Sequence, residues 1–251
     1  MTHHRQGTFP SPAHRDPEAG RMQVLEVGWQ ETSMNLTHDG WTRVATGIDA
    51  EFIVRLRAEA FREGSAGSRC LLDLPEVRSA ALQLKHELIA SGQLSTGAVA
   101  IQAIAFDKTP ATNWKVAWHQ DLMFPFAAAA CAPGFDLPTR KAGVDFARPP
   151  RTVLEELLAV RLHLDPCDAA NGPLRVCPGS HQEGLIPSAA CAARAARGGE
   201  VACLAEQGEA ILMRPLLLHA SSQASHPARR RVLHFVFHSG SPIAEAWHRA
   251  V

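Results

Sequence analysis

The hydrophobic and polar positions divide the chain into an early helical part and a later part of short strands. Residues 48–61 carry apolar side chains at helical spacing, with Asp49 near the start, and residues 75–91 repeat this spacing between Pro75 and Gly92. The pattern predicts two amphipathic helices, because Pro at the first position and Gly after the last are typical of helix ends.

From residue 97 the pattern changes to short runs of Val, Ile, Leu and Phe separated by turns rich in Gly, Pro, Asn and Asp. Such a series is typical of a barrel or a jelly roll, and helices that precede it should pack on one outer face of the sheets. A further short helix is predicted near residues 188–197. The predicted strands cover residues 98–106, 115–124, 157–165, 172–178, 209–213, 216–220 and 231–237.

We expect one domain over residues 25–251, preceded by a disordered tail over residues 1–24. The first twenty residues, MTHHRQGTFPSPAHRDPEAG, contain no apolar stretch of the kind found in secretory signals. Their content of Pro, Gly and Ser predicts a solvated segment, so His3 and His4 are interpreted as part of the tail and not as a metal site.

Composition narrows the function classes. The 251 residues are 46% hydrophobic and 20% charged, as in ordinary folded proteins, and 25 basic residues balance 25 acidic ones. A neutral chain without a long apolar run argues against binding to nucleic acid or to a membrane. The six cysteines include no C-x-x-C pair and are expected to be reduced core residues. We therefore expect a cytoplasmic protein that binds a small molecule, of unknown oligomeric state.

The strongest local signal is the segment Trp118-His119-Gln120-Asp121. Alternate residues of a strand share a face, so His119 and Asp121 should project together while Gln120 points away. An imidazole and a carboxylate make two thirds of the facial triad that holds non-haem Fe(II) and leaves positions open for other ligands. The same spacing also occurs at ordinary polar strand ends, so the prediction needs support from elsewhere.

Support comes from near the C-terminus. His219 ends an apolar run, and Arg230 begins the strand that follows. In that strand the odd positions are mostly bulky and apolar, which predicts packing under the helices. The even positions, which include Arg230, should line a cavity. A buried Arg needs an anion and is shaped to bind a carboxylate, which indicates a dicarboxylate co-substrate. A solvated basic turn is the alternative for the neighbouring Arg229 and Arg231.

These residues resemble the phytanoyl-CoA dioxygenase-like family of Fe(II)/2-oxoglutarate-dependent oxygenases. The resemblance runs from about Asp39 to Phe237 and is carried by three ordered segments, FDKTPATNWKVAWHQDL, RLHLDPCDAANGPLRVCPGSH and MRPLLLHASSQASHPARRRVLHF. It implies a mainly β protein with flanking helices, built on a double-stranded β-helix, the jelly-roll core of cupin-like proteins.

The resemblance also implies roles for individual residues. It implies that iron is bound by His119, Asp121 and His219, which are then also the catalytic residues. It implies that Arg230 pairs with the distal carboxylate of 2-oxoglutarate, to which Ser221 adds a hydrogen bond.

Two further positions, Gln102 and Lys108, match family positions that contact 2-oxoglutarate or substrate. For Lys108, a position on a solvated turn is an equal alternative. Gln102 lies on the same strand face as Lys108 only if the strand between them is unbroken. Many enzymes of this chemistry bind the distal carboxylate with a Tyr hydroxyl beside the basic residue. The chain has no Tyr, so Arg230 must be assisted by Ser221, Lys108, Gln102 or water.

The implied activity is a dioxygenase that uses Fe(II), 2-oxoglutarate and O2 to hydroxylate a C–H bond of a small organic substrate, releasing succinate and CO2. Asp121 favours hydroxylation over halogenation, because halogenases of related fold keep that position small for chloride. The alternatives are a non-catalytic jelly-roll protein that binds a small molecule, a metal-dependent hydrolase such as a zinc hydrolase, and a nucleic-acid demethylase. Residues 124–150, rich in Ala, Pro and Gly, are predicted to be a long loop that covers the pocket.

Overall fold

The computed structural model describes residues 35–62 and 65–251; the predicted tail, residues 1–24, lies outside them. The three predicted helices are confirmed, and Asp49 caps the first by accepting a hydrogen bond from the Phe52 amide. None of the described helices is long and apolar enough to cross a membrane. The helices are α1 (Ala50–Ala60), α2 (Pro75–Ala90), α3 (Arg151–Glu155) and α4 (Ser188–Gly198).

Strands make up most of the remaining regular structure. Each predicted strand is present, although the one predicted over residues 115–124 is interrupted after His119. The strands are β1 (Trp41–Ala45), β2 (Gly67–Ser68), β3 (Val99–Lys108), β4 (Val116–His119), β5 (Phe124–Phe126), β6 (Asp136–Lys141), β7 (Val144–Arg148), β8 (Leu157–His163), β9 (Leu174–Val176), β10 (Val201–Cys203), β11 (Glu209–Met213), β12 (His219–Ser221) and β13 (Arg230–His238).

Two antiparallel sheets form the core. The larger has the strand order β1-β11-β8-β13-β3-β2 and the smaller has the order β10-β9-β12-β4. From β8 onward the chain passes repeatedly between the two sheets, and a cluster that includes Ile211 and Met213 of one and Leu174 and Val176 of the other joins them. This is the predicted jelly roll, in which the inner faces of the two sheets face each other.

The outer face of the larger sheet packs against the helices, as the parity of the last strand predicted. Leu233, Phe235 and Phe237 of β13 lie in one hydrophobic cluster with α1 and α2. Arg231 shares their parity but sits at the strand end, where it pairs with Asp165. The even positions of β13 therefore face the interior of the jelly roll.

The prediction that residues 124–150 form a loop was wrong. In place of a loop, the structure has a three-stranded antiparallel sheet of order β5-β7-β6. Ala142 and Gly143 have φ values of 50° and 81°, as a tight hairpin turn requires, and Arg148 pairs with Asp136 across the hairpin. The abundance of Ala, Pro and Gly concealed a set of buried aromatic side chains, Phe124, Phe126 and Phe146.

Candidate active site

Two neighbouring strands bring the predicted metal ligands together. β12 and β4 are paired so that His219 lies directly opposite His119, and Asp121 follows shortly after β4 ends. The Asp121 carboxylate lies 3.6 Å from His119 Nε2 through Oδ1 and 3.6 Å from His219 Nε2 through Oδ2. All three ligand atoms lie within 4.8 Å of one another, so the group could hold a metal ion.

Backbone carbonyls set the orientation of both imidazoles. His119 Nδ1 donates to the Ala117 carbonyl at 2.8 Å, and His219 Nδ1 donates to the Leu217 carbonyl at 2.9 Å. A carbonyl oxygen only accepts, so each Nδ1 carries a proton, and in the neutral imidazole Nε2 keeps a lone pair for a metal. Both lone pairs are on the side of the carboxylate, which is the arrangement that metal-bound histidines require. The residues present therefore fit a divalent metal.

The protonation states also suit metal binding. Burial by itself favours the neutral acid, but His219 and His119 hold the pKa of Asp121 well below its usual range. Burial lowers the pKa of His219 to about 4, so this side chain is neutral at neutral pH. Burial acts in the same direction on His119, but the nearby Asp121 carboxylate outweighs it and raises the pKa.

Gln120 points away from the metal ligands, as predicted, and anchors the strand end. Its Nε2 donates to the carbonyls of Gly184 and Leu216, both at 2.7 Å, and its Oε1 accepts from the Ile186 amide at 2.9 Å. The Gln120 amide group thus ties the segment after β4 to the segment that leads into β12. These bonds fix the position of His119 and Asp121 relative to His219.

A second buried group lies at the start of β13. Arg230 is paired in register with Lys108 of β3, and both are buried. Lys108 Nζ donates to Ser221 Oγ at 3.2 Å and to the Ser222 carbonyl at 2.6 Å. Burial, and then the charge of Arg230, lower the pKa of Lys108 to about 8. The structure therefore places Lys108 inside the protein and not on a solvated turn.

No carboxylate among the described residues neutralises this pair of cations. Asp107 pairs with Arg229, and Asp165 pairs with Arg231. Arg230 Nη1 donates to the Cys167 thiol at 3.8 Å, and its Nε has no hydrogen-bond acceptor within the described part of the chain. Uncompensated buried charge is costly, so this end of the interior fits an anionic ligand.

Gln102 lies on the same strand face as Lys108. β3 contains a bulge, since Gln102 is opposite Val236 whereas Ala100 is opposite Phe237, which leaves Ile101 as the extra residue. The bulge precedes Gln102, so the strand is regular from Gln102 to Lys108. Gln102 is buried on the interior face.

The Asn171-Gly172 turn holds the Lys108 side chain in place. Gly172 has a φ of +74°, and a Cβ at this position would lie 2.7 Å from the Ser222 carbonyl oxygen and 2.9 Å from Lys108 Nζ. Both the backbone angle and the close approach require glycine. Asp168 Oδ1 accepts from the Asn171 amide at 2.8 Å and stabilises the turn.

The structure adds two residues that the sequence reasoning did not assign to the site. His234 Nε2 lies 3.8 Å from Asp121 Oδ2, and His234 Nδ1 accepts a hydrogen bond from Arg161 Nη1 at 3.3 Å. Alternation in the segment LLAVRLHLD could have identified Arg161, because it shares a strand face with His163 while Val160 and Leu162 face the core under the helices.

Comparisons with known proteins agree with this geometry. A protein-family model described as phytanoyl-CoA dioxygenase (PhyH) matches residues 74–232, which is more than half of the chain. No curated protein matches the sequence significantly.

Solved structures share the fold at low sequence identity. EvdMO1 is 18% identical with a TM-score of 0.58 over 82% of this chain, which spans about half, 48%, of the EvdMO1 chain. EctD from S. alaskensis, with bound Fe, is 18% identical with a TM-score of 0.57 over 81% of this chain and 74% of EctD. HygX from Streptomyces hygroscopicus, with nickel, 2-oxoglutarate and hygromycin B bound, is 12% identical with a TM-score of 0.54 over 81% of this chain and 84% of HygX.

Proposed function

This chain belongs to the phytanoyl-CoA dioxygenase (PhyH) family, and we propose that it hydroxylates a C–H bond of a small organic molecule. Its cofactors are Fe(II), the co-substrate 2-oxoglutarate, and O2, as for the family. When bound, these groups supply the oxidation, in which 2-oxoglutarate is converted to succinate and CO2.

The observation that carries the proposal is the convergence of His119, Asp121 and His219. Two imidazole Nε2 atoms and one carboxylate on a single side form the donor set of a 2-His-1-carboxylate site. We assign these three residues as the iron ligands. Because these residues would hold the metal from one side, its other positions would be left to co-substrate and O2.

We assign Arg230, Lys108 and Ser221 to the distal carboxylate of 2-oxoglutarate. Arg230 and Lys108 supply the positive charge that a carboxylate needs inside a protein. Ser221 Oγ already accepts from Lys108 Nζ, so its own O–H remains to donate to the carboxylate. We assign Gln102, on the same interior face, as a further contact of 2-oxoglutarate or substrate.

The presence of both a metal site and two buried cations favours a 2-oxoglutarate-dependent oxygenase over the alternatives. A hydrolytic metal site needs only a metal-bound water and offers no role for Arg230 and Lys108. A binding protein without iron would leave the histidine lone pairs and Asp121 without a ligand. We also propose a reducing, cytoplasmic location, supported by six cysteines that are all free thiols.

The test is a substrate screen with Fe(II), 2-oxoglutarate and ¹⁸O2, in which succinate and product mass are measured together. We expect substrate-dependent succinate and a product that carries one added ¹⁸O atom. An oxidised product without added oxygen would overturn hydroxylation but keep 2-oxoglutarate-dependent oxidation. A product formed without O2 would indicate a hydrolase, and no succinate under any condition would indicate a binding protein.

Asp121→Ala should abolish turnover in this screen, because it removes the one carboxylate ligand. The matched control is Asp73→Ala, whose carboxylate forms a surface ion pair with Arg249. We expect the control to keep wild-type succinate formation.

A further inference from the structure

A third buried cation lies inside the jelly roll, close to the metal ligands. Arg161 is in the middle of β8, where it is opposite His234 of β13 and Ile211 of β11. Val160 and Leu162, on either side of it, pack into the core under the helices. Arg161 therefore points into the interior, and only 8% of its surface is exposed.

The contacts of Arg161 leave its charge uncompensated. Nη1 donates to His234 Nδ1 at 3.3 Å, and the guanidinium carbon lies 5.3 Å from the centre of the Phe106 ring. Nε is buried and has no acceptor within residues 35–62 and 65–251. Burial lowers the pKa of Arg161 only to about 10, so the group is charged at neutral pH.

Bound cofactors do not remove the excess of positive charge. The two charges of Fe(II) are balanced by the two carboxylates of 2-oxoglutarate. Asp121 balances only one of the three buried cations, Lys108, Arg161 and Arg230. Among the described residues, the fully buried carboxylates, Asp107 and Asp165, are already paired. Even if Lys108 were neutral, one cation would keep no counter-ion, and such a buried charge is strongly unfavourable.

The backbone of Arg161 lies further along the sheet than the Arg230–Lys108 pair, although the charge of Arg230 still acts on its guanidinium. Arg230 and Lys108 are paired at the start of β13, whereas His234, opposite Arg161, is four residues further along. Four residues of a strand extend about 13 Å. His234 Nε2 lies 3.8 Å from Asp121 Oδ2 and its Nδ1 accepts from Arg161, so this imidazole links Arg161 to the metal ligands, near which the reacting C–H bond must be held.

We infer that Arg161 binds a carboxylate or similar anionic group of the substrate, so that the substrate of this enzyme is an organic anion. The inference rests on the proposed function, since it names the substrate class for the same pocket. His234 is a positioning residue, because its Nδ1 accepts from Arg161 Nη1 and orients the guanidinium. Arg161 could instead bind a carboxylate of 2-oxoglutarate. The experiment therefore distinguishes a substrate anion from 2-oxoglutarate as its ligand.

The experiment uses propionate as the anionic probe and propionamide as its neutral isostere. Both are titrated into Zn(II)-loaded protein saturated with 2-oxoglutarate, and dissociation constants are measured by saturation-transfer NMR. We expect propionate to bind at least tenfold more tightly than propionamide. Arg161→Gln should remove this difference, Arg161→Lys should keep part of it, and the surface control Arg197→Gln should match wild type. Thermal unfolding verifies that each variant is folded.

A parallel titration measures 2-oxoglutarate itself, through the visible charge-transfer band of the anaerobic Fe(II) protein. We expect Arg161→Gln to leave the dissociation constant of 2-oxoglutarate within twofold of wild type. Equal binding of the two probes, absence of propionate binding, or competition of propionate with 2-oxoglutarate would overturn the inference. So would a tenfold loss of 2-oxoglutarate affinity in Arg161→Gln. Absence of the band in wild type would instead overturn the proposed function.

Discussion

Single residues of the site were predictable where strand parity decides their direction. Arg230 faces the interior as the alternation required, and His119 and Asp121 lie on one side with Gln120 pointing away, although β4 ends at His119. Arg161 and His234 were missed because their importance depends on neighbours from other strands. The charged Arg161 within the apolar run LLAVRLHLD was a usable signal, because strand alternation places it on the face opposite to Val160 and Leu162.

Replacing Arg230 by Gln should weaken 2-oxoglutarate binding by about 1.5–3 kcal/mol, since a hydrogen bond to a charged group contributes roughly that much. This corresponds to an increase in dissociation constant of about 10- to 150-fold. The control is Arg229→Gln, whose guanidinium pairs with Asp107. Titration of both variants with 2-oxoglutarate should show a change within twofold for the control. Equal losses in the two variants would contradict the assignment of Arg230.

Lys108 should make 2-oxoglutarate binding sensitive to pH. Burial and Arg230 lower its pKa to about 8, so in the free protein the amine loses its proton as the pH rises through 8. A bound dianion favours the charged amine, so binding above pH 8 takes up a proton and affinity falls with rising pH. Between pH 7 and 9 we expect a several-fold weakening in wild type. Lys108→Arg, which stays charged, should show a smaller change, and identical profiles would exclude this role.

At the scale of elements, local signals identified the helices, and tertiary contacts decided what was missed. The apolar spacing and the Asp49 cap are properties of neighbouring residues, which is why α1 and α2 were predicted closely. The strand predicted over residues 115–124 is interrupted because Gln120 bonds to Gly184 and Leu216, which are far away in sequence. The β5-β7-β6 sheet likewise depends on pairing and on aromatic burial between segments.

Gly172 should be more sensitive to substitution than a left-handed glycine that has open space around it. Gly172→Ala adds a contact with the Ser222 carbonyl and Lys108 Nζ to the strain of a positive φ, which alone costs about 1–2 kcal/mol. Gly92→Ala is the control, because Gly92 has a φ of +73° and no atom within 4 Å of the added Cβ. Urea unfolding should show a larger loss for Gly172→Ala, and only this variant should bind 2-oxoglutarate more weakly. Equal effects in both assays would contradict the account of the turn.

At the scale of the whole molecule, zero net charge conceals a strong separation of charge. The composition has equal numbers of acidic and basic residues, yet three cations are buried in the interior while Asp107 and Asp165 pair with Arg229 and Arg231. Composition provided no sign of this interior charge. The jelly roll creates it by joining β3, β8 and β13, which are distant in sequence, side by side.

The central claim is that His119, Asp121 and His219 hold iron to which 2-oxoglutarate binds. The most direct measurement is anaerobic titration of the Fe(II) protein with 2-oxoglutarate, followed by its visible charge-transfer band. The account predicts a saturable band in wild type and in the surface control Asp73→Ala, and no band in Asp121→Ala. A band of wild-type strength in Asp121→Ala, or none in wild type, would contradict it.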